Sequence, residues 1–396
     1  MAYANIYRRD RLFLPQQKLL AFAREVPTPF YLYNEDGIRK TARLILGSFR
    51  WCEEHRAYFP VSANNAPAIL RIYREEGFGA LVCSIPELEL VQRCGFTDIL
   101  FHTAAMTPQT ADAVRRAGCG VIFDALGQIE RFSGDLPTCC MLRLNLEKEL
   151  RHSFVSSYSR RGRSGMSREQ AIEAALALSG MGVPCIGLHC HLPGGSLGEE
   201  DYPFIASVLL SLAAELEQRG VRIRRIDPGG GLAVYAEPDR PAIHMSAVGV
   251  KMREEYARLS GEAAPALCTE FGRFAIARHG ILVSRVAELR ERGRSYAILD
   301  VSASQIPNRG SQRISVVGNC ARSGRRVYSV HGCTTASREL LCDRAILPPL
   351  EIGSLVALRD CGAYCQSRQA PQCMLPPCGG YLFTLDGEIV PLSEHE

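Results

Sequence analysis

The chain has 396 residues, 46% of them hydrophobic, which is ample material for buried cores. Its formal net charge of +4 is small for this length and argues against general binding to nucleic acid. Arginines near the first residue stand where a signal peptide needs an apolar run, and no stretch approaches the roughly 18 apolar residues of a membrane span. We therefore expect a cytoplasmic globular protein whose 16 cysteines are reduced.

The first strand-like segment is FYLYN at residues 30–34, after two prolines. We expect it either to lead into the next domain or to pair with a later β-domain. Residues 1–29, which precede it, are expected to associate with that β-domain.

Between residues 57 and 273, short apolar runs alternate with helical patterns, which predicts βαβ units and a parallel sheet. Their number predicts a closed (β/α)8 barrel of the TIM type, an α/β fold that we place at residues 30–280. The predicted strands are residues 57–63, 79–84, 98–102, 120–125, 140–145, 185–191, 223–229 and 266–271.

Capping residues mark the starts of helices between these strands. Ser84 with Glu87 has the spacing of a capping box, in which each side chain accepts a hydrogen bond from an amide at the helix start. Ser167 with Gln170 has the same spacing and opens a helix expected to end near Gly180.

After about residue 280 the pattern becomes β-rich, and Asp386-Gly387 is typical of a hairpin turn. We therefore expect a second, C-terminal β-rich domain at residues 281–396.

In a (β/α)8 barrel, reactive groups lie at the carboxyl ends of the strands, and phosphate is commonly held after strands seven and eight. Strand seven is followed by three glycines, Gly229 to Gly231, and strand eight by Glu270, Gly272 and Arg273. Glycines let backbone amides approach an anion closely, and a guanidinium suits phosphate. These residues predict a phosphate site at the ends of neighbouring strands.

Strand six ends in His189-Cys190-His191, and alternation points both imidazoles to the same side. They are either packed histidines or, as we prefer, placed so that an imidazole stacks on a flat cofactor ring. Zinc would need further ligands, which we do not expect from the other strand ends. The cysteines clustered near the C-terminus lack the paired CxxC spacing of zinc sites, and no metal is expected there: Cys361, Cys365, Cys373 and Cys378.

A family resemblance rests on six segments, which are TPFYLYNED, VSANNAPAILR, GLHCHL, DPGGGL, TEFGR and DCGAY. They follow one another in the order seen in diaminopimelate and ornithine decarboxylases, over about residues 27–365. The phrase LPPLEIGSLVALRDCGAY is similar to the diaminopimelate branch in particular. The chain thus resembles the fold-type III decarboxylases that depend on pyridoxal 5'-phosphate (PLP). The resemblance implies PLP-dependent α-decarboxylation of a diamino acid or related polar amino acid by a homodimer with shared active sites.

The resemblance also implies roles for individual residues. His191 would stack on the pyridine ring, Glu270 would pair with the ring nitrogen, and Arg143 would lie near the ring. An acid from the β-domain would protonate the carbanion left by loss of carbon dioxide. The phosphate would be held by residues of both domains: Gly230, Gly231, Gly272, Arg273 and Tyr364.

A basic stretch runs from Arg151 to Arg163. The resemblance places it near the active site, where one of its arginines, Arg160, Arg161 or Arg163, would meet a substrate carboxylate. The plainer alternative is a solvated loop.

Three departures from the family pattern bear on activity. Ser62 stands where the family has the lysine that forms the Schiff base with PLP, and serine cannot replace it. Leu81 stands where the family has aspartate. Thr335 and Ala336 occupy the places of a catalytic cysteine and a substrate-binding glutamate, unless a shifted loop lets Cys333 substitute. These changes make meso-diaminopimelate itself a doubtful substrate.

Three explanations of Ser62 stay open. It is an engineered change in a working decarboxylase, or the natural residue of a non-catalytic relative that binds PLP or a partner, as antizyme inhibitors do. In the third explanation, the protein uses the same fold for another PLP reaction, such as amino-acid racemisation.

Overall fold

The computed structural model describes residues 12–132, 134–146, 163–192, 198–234, 243–259, 264–307, 313–318 and 324–393. The chain divides into two compact units, one formed by residues 1–38 with 276–396 and the other by residues 39–275. We call them the sheet unit and the barrel unit. Within the described ranges, no helix combines the length and apolar character needed to cross a membrane.

The strands in chain order are β1 (Phe30–Asn34), β2 (Arg56–Pro60), β3 (Gly79–Val82), β4 (Ile99–His102), β5 (Gly120–Phe123), β6 (Cys139–Arg143), β7 (Cys185–His189), β8 (Ile223–Asp227), β9 (Ala266–Thr269), β10 (Gly280–Glu291), β11 (Ser295–Leu299), β12 (Ile314–Val316), β13 (Arg326–His331), β14 (Leu340–Leu347), β15 (Leu355–Leu358), β16 (Gly379–Phe383) and β17 (Ile389–Pro391). The helices are α1 (Gln16–Glu25), α2 (Glu35–Ser48), α3 (Pro67–Glu75), α4 (Ile85–Arg93), α5 (Pro108–Ala117), α6 (Leu126–Glu130), α7 (Arg168–Gly180), α8 (Asp201–Gln218), α9 (Met245–Leu259) and α10 (Gly272–Ile276).

Strands β2 to β9 form a closed barrel, as predicted. Each pairs in parallel with the next, and β9 pairs with β2 to complete the ring. The first barrel strand is shorter than predicted, because residues 61–63 form a 3-10 turn. Pro60 has no N–H to continue the ladder, so the strand ends there.

The barrel interior is filled by side chains, as in other barrels of this type. A buried cluster draws on almost every strand, with Leu81 and Cys185 packed against it: Tyr58, Leu100, Ile122, Cys139, Met141 and Cys268. Because this layer occupies the interior, a ligand site must lie at the end of the barrel.

The helix starts follow the predicted caps, with one difference. Ser167 and Gln170 form the reciprocal capping box, and the helix runs to Gly180 as expected. The Ser84 hydroxyl accepts a hydrogen bond from the Glu87 amide. The Glu87 carboxylate, however, accepts from the amide of Cys83, one residue before the expected partner.

The sheet unit contains a nine-stranded sheet in the order β14-β13-β11-β10-β1-β16-β17, in which β15 also pairs with β10 and β12. Strand β1 is antiparallel to β10 and parallel to β16. FYLYN therefore pairs with the C-terminal strands, the second of its two expected alternatives. Strands β16 and β17 are antiparallel, and Gly387 has φ of 81° in the turn between them, which confirms the predicted hairpin.

Helix α1 packs on one face of this sheet. Its buried residues Leu19 and Ala23 lie in one hydrophobic cluster with Phe30 and Leu32 of β1. The same cluster includes residues of β10 and β15, so these strands and α1 form a common core.

Two helical glycines of the barrel unit provide a matched test of packing. A Cβ on Gly249 of α9 would lie 2.2 Å from the carbonyl oxygen of Ser48, whereas a Cβ on Gly47 of α2 would meet nothing within 4 Å. We expect Gly249→Ala to destabilise the protein by about 1–3 kcal/mol through overpacking. Gly47→Ala should stabilise it by about 0.5–1 kcal/mol. Denaturant unfolding of both variants checks this, and equal effects would contradict the close packing of α2 and α9.

Candidate functional site

The carboxyl ends of the barrel strands bring polar side chains to one end of the barrel unit. This is where parallel strands of such a barrel place reactive groups. The residues that end or directly follow strands β2 and β4 to β9 are Ser62, His102, Asp124, Arg143, His189, His191, Asp227, Gly229, Gly230, Gly231 and Glu270.

The glycine loop after β8 is held by three hydrogen bonds at Gly229. Its amide donates to Oδ1 of Asp227 at 2.7 Å, and its carbonyl accepts from the Tyr202 hydroxyl at 3.1 Å and the Glu270 amide at 3.2 Å. Gly229 has φ of 78°, and a Cβ on Gly230 would lie 2.3 Å from the Glu270 carbonyl oxygen. Glycine alone fits this backbone without strain, and the three hydrogen bonds fix the start of the loop.

The other predicted phosphate residues follow the neighbouring strand. Gly272 and Arg273 begin the short helix α10 after β9, and Arg273 is half-buried. Strands β8 and β9 are hydrogen-bonded neighbours, so the glycine loop and Arg273 lie at the same end of adjacent strands.

Glu270 lies at the centre of the site and is only 2% exposed. Its carboxylate oxygens lie 3.5 Å from Nε2 of His189 and 3.6 Å from Nδ1 of His191. The two imidazole rings are parallel to within 9°, with centroids 6.5 Å apart, as expected from strand alternation. The amide of Gly230 donates to Nδ1 of His191 at 3.3 Å.

The expectation that no other strand end supplies a metal ligand is wrong. The possible ligand atoms of His189, His191 and Glu270 all lie within 4.8 Å of one another. Spacing in the sequence does not reveal this, because Glu270 comes 79 residues after His191 and follows a strand two places away in the barrel. Within the described residues, the cysteines near the C-terminus form no such group.

Burial and mutual contact set the ionisation of this cluster. Burial lowers the pKa of His189 to about 4, although the charge of Glu270 opposes the shift. Burial would raise the pKa of Glu270, but the imidazoles of His189 and His191 outweigh it and hold the pKa well below its ordinary range. Burial, with the nearby charge of Glu270, raises the pKa of Asp227 well above its ordinary value. Glu270 is therefore the ionised member of the carboxyl pair.

A second polar network at the site was not predicted. Nη1 of Arg143 lies 3.1 Å from Oδ1 of Asp124 and 3.2 Å from Nε2 of His102, and its Nη2 donates to the carbonyl of His191 at 3.2 Å. Burial would raise the pKa of Asp124, but His102 and Arg143 lower it. The sequence contained a signal, since His102 and Asp124 each end an apolar strand with a polar residue.

Ser62 lies half-buried in the turn Val61–Ala63, directly after β2. Three of the lysines lie in helices, Lys18 in α1, Lys40 in α2 and Lys251 in α9. The fourth, Lys148, lies outside the described residues. Within the described ranges, then, no lysine stands at the carboxyl end of a barrel strand.

Three of the predicted residues belong to the sheet unit. Cys333 and Thr335 are exposed in the segment between β13 and β14. Tyr364 is half-buried, and the guanidinium carbon of Arg368 lies 4.4 Å from the centre of its ring.

Arg163 is the one described member of the basic stretch, since Arg160 and Arg161 lie outside the described residues. It is exposed and lies three residues before Met166, whose amide donates to the carbonyl of Arg143 at 2.8 Å. Arg163 therefore follows the site end of strand β6.

The barrel residues fit the phosphate and the ring of PLP. Oε1 of Glu270 is buried and has no hydrogen-bond partner among the described residues, as expected of an acceptor for a protonated ring nitrogen. The half-exposed His191 offers a flat ring, and the glycine loop with Arg273 offers phosphate donors. The described strand ends offer no lysine amine for a covalent anchor, and the residue in the turn after β2 is Ser62.

The raised pKa of Asp227 predicts how stability depends on pH. A carboxyl whose pKa is raised by folding stabilises the protein below its unfolded pKa of about 3.9, and this stability is lost as pH rises through the folded value. Asp227→Asn keeps an oxygen to accept from Gly229 and removes the titrating group. We expect the melting temperature of the variant, relative to the original protein, to rise by a few degrees between pH 5 and pH 8. A difference that stays constant would contradict the buried pair.

Comparison with known proteins also points to a pyridoxal-binding site. A family model for the pyridoxal binding domain of pyridoxal-dependent decarboxylases matches residues 36–277. The diaminopimelate decarboxylase of Archaeoglobus fulgidus is 26% identical over 365 residues, covering 88% of this chain and 85% of that protein. Protein TabA of Pseudomonas amygdali pv. tabaci is also 26% identical, over 345 residues, covering 85% of this chain and 81% of that protein.

Solved structures share the fold. Diaminopimelate decarboxylase from M. jannaschii has a TM-score of 0.88 at 19% identity, covering 95% of this chain and 92% of that chain. Lysine/ornithine decarboxylase from Vibrio vulnificus, complexed with putrescine, has a TM-score of 0.79 at 19% identity, covering 93% and 97%. The family model spans more than half of the chain, and the strand-end residues fit its cofactor. The chain therefore belongs to the pyridoxal-dependent decarboxylase family.

Proposed function

We propose that this chain binds PLP at the carboxyl end of its barrel and derives from α-decarboxylases of diamino acids or related polar amino acids. The observation that supports it best is the meeting of a rigid glycine loop, His191 and an ionised, buried Glu270 on neighbouring strands. A carboxylate so deeply buried is costly unless a positive group meets it. A protonated pyridine nitrogen meets this need.

PLP, when bound, supplies an electron sink that stabilises the carbanion left by loss of carbon dioxide. The residues of this chain would hold and polarise it. Glu270 would keep the ring nitrogen protonated, His191 would cover one face of the ring, and the Gly229 to Gly231 loop with Arg273 would bind the phosphate. Arg143, held by Asp124 and His102, fixes the position of the His191 backbone.

The residue at position 62 determines how fast the chain can decarboxylate an amino acid. A lysine at this position would both anchor the cofactor and move protons, and general acid–base catalysis of that kind contributes about 10²–10⁴-fold. We therefore propose that decarboxylation by the chain with Ser62 is slow or absent, while PLP binding persists through the phosphate and ring contacts.

A non-catalytic role in PLP binding or regulation is the alternative. It is favoured by Leu81, which packs against the apolar barrel interior where the family resemblance implies an aspartate, and by Thr335 and Ala336. Racemisation is a further alternative, against which the decarboxylase motif order and the matching family model both argue.

Several further features remain proposals. They are a homodimer with shared active sites, a cytoplasmic location, and roles for Tyr364 in phosphate binding and for Cys333 or Thr335 near the substrate. They rest on the family resemblance. A diamino acid as substrate is in keeping with one structural relative, the diaminopimelate decarboxylase of Helicobacter pylori, whose crystal structure is a complex with L-lysine.

Ser62→Lys is the direct test of the proposed function. We expect both forms to retain PLP after desalting, measured by its absorbance. Ser62→Lys should release carbon dioxide from lysine, ornithine or diaminopimelate about a hundredfold faster or more, because it restores proton transfer.

Ser62→Met is the matched control, since it adds similar length without an amine. Failure of every form to retain PLP would overturn the cofactor assignment. Retention without carbon dioxide release from any of these amino acids would favour the non-catalytic role.

Arg163 is proposed to bind a substrate carboxylate. In the Ser62→Lys protein, Arg163→Glu should raise KM at least about tenfold, because hydrogen bonds to charged groups contribute about 1.5–3 kcal/mol. Arg222→Glu is the control, since Arg222 is an exposed arginine directly before β8, at the opposite end of the barrel. Equal KM values for the two variants would reject the role of Arg163.

A further inference from the structure

A pair of cysteines lies at the amino-terminal end of the barrel, away from the site. Cys139 begins strand β6 and Cys185 begins strand β7, and the two residues are direct partners in the parallel register. Their Sγ atoms are 3.4 Å apart. Arg143 and His189, the last residues of the same two strands, lie about 13 Å away along strands that rise about 3.3 Å per residue.

The pair has the geometry from which a disulfide forms. Neighbouring strands lie about 4.7–4.9 Å apart, within the range of about 4.4–6.8 Å that Cα atoms span in disulfides. Closing the sulfur separation to the bond length of about 2.05 Å needs an approach of little more than 1 Å. A rotation of the side chains supplies this without a change in strand pairing.

The surroundings favour a thiolate at this pair. Nη1 of Arg225 lies 3.5 Å from Sγ of Cys139, and 3.3 Å from the Tyr58 hydroxyl. The hydrogen bond with Cys139, and then the charge of Arg225, lower the pKa of Cys185 to about 7 although burial opposes the shift. The hydrogen bond with Cys185, and then burial, raise the pKa of Cys139, although the charge of Arg225 opposes the shift.

The two thiols differ in their exposure to solvent. Cys185 is half-buried, whereas Cys139 is 9% exposed and belongs to the interior cluster of the barrel. Reactive cysteines sit in electropositive, partly exposed surroundings of this kind, and an adjacent second thiol is what resolves an oxidised one. Cys185 is therefore placed to react first and Cys139 to react with it.

We propose that Cys139 and Cys185 form an oxidation site, at which a peroxide oxidises Cys185 and Cys139 then closes a disulfide between strands β6 and β7. The Cys185 thiolate attacks one peroxide oxygen, the O–O bond breaks, and the leaving hydroxide takes a proton to become water. Cys139 then attacks the sulfur of the resulting sulfenic acid, the S–S bond forms, and a second water leaves. Two electrons pass from the thiols to the peroxide, and a reducing thiol reverses the change.

The test treats the full-length protein with hydrogen peroxide, blocks remaining thiols, and maps peptides by mass spectrometry. We expect a linked pair of peptides containing Cys139 and Cys185, lost on addition of dithiothreitol. Without peroxide, iodoacetamide at pH 7 should alkylate Cys185 at least about fivefold faster than Cys52, because the gain in thiolate outweighs the fall in nucleophilicity. Cys52 is the matched control, since it is also half-buried but burial raises its pKa.

Two variants separate the roles of the thiols. Cys139→Ala should give no disulfide and should accumulate a sulfenic acid on Cys185 that dimedone traps. Arg225→Gln should slow alkylation of Cys185 at pH 7 and move the midpoint of its pH profile upward. Linkage of other cysteines in the folded protein, or alkylation of Cys185 no faster than that of Cys52, would overturn the proposal. Both measurements use the unmodified chain, so they hold even if a variant fails to fold.

Discussion

The pairing of β9 with β2 is the constraint on which the site depends. Two register pairs, Arg56 with Cys268 and Ala57 with Thr269, close the ring of parallel strands. Closure leaves the barrel strands no free edge, and a packed interior cluster keeps their ends in fixed positions. Glu270 follows β9 directly, and the pairing of β7 with β8 and of β8 with β9 brings it beside His189 and His191 in the closed ring. The pairing of β6 with β7 in the same ring places the two cysteines together at the opposite end of the barrel.

The buried carboxyl groups are the part of this arrangement that is least favourable in free energy. Asp227 and Glu270 lie buried on adjacent strands, and two like charges so close cannot both ionise cheaply. The protein resolves the conflict by holding Asp227 in its protonated form, where it accepts from Gly229, and leaving the charge on Glu270. Asp227 thereby connects the glycine loop with the buried Glu270 carboxylate.

Much of this could be read from the sequence. The alternation of apolar runs and helical patterns predicted the barrel, and the polar residues after strands predicted the glycine loop, His191 and Glu270. The approach of Glu270 to both histidines could not be read, because it depends on how strands β7, β8 and β9 pair in the barrel. The network of Arg143 with His102 and Asp124 was missed, although the polar residues His102 and Asp124 at the ends of apolar strands were a signal for it. The contact of Cys139 with Cys185 follows from register, which no local pattern encodes. The Glu87 carboxylate accepts from the amide of Cys83, and this choice depends on the geometry of the loop before α4, which no local pattern encodes either.

The tight contact at Gly230 has a consequence for evolution. A side chain there collides with the Glu270 backbone whether or not a ligand is present, so selection for folding alone preserves the glycine. The fold itself therefore requires glycine at position 230, and this glycine alone is not evidence that a protein of this architecture is catalytically active.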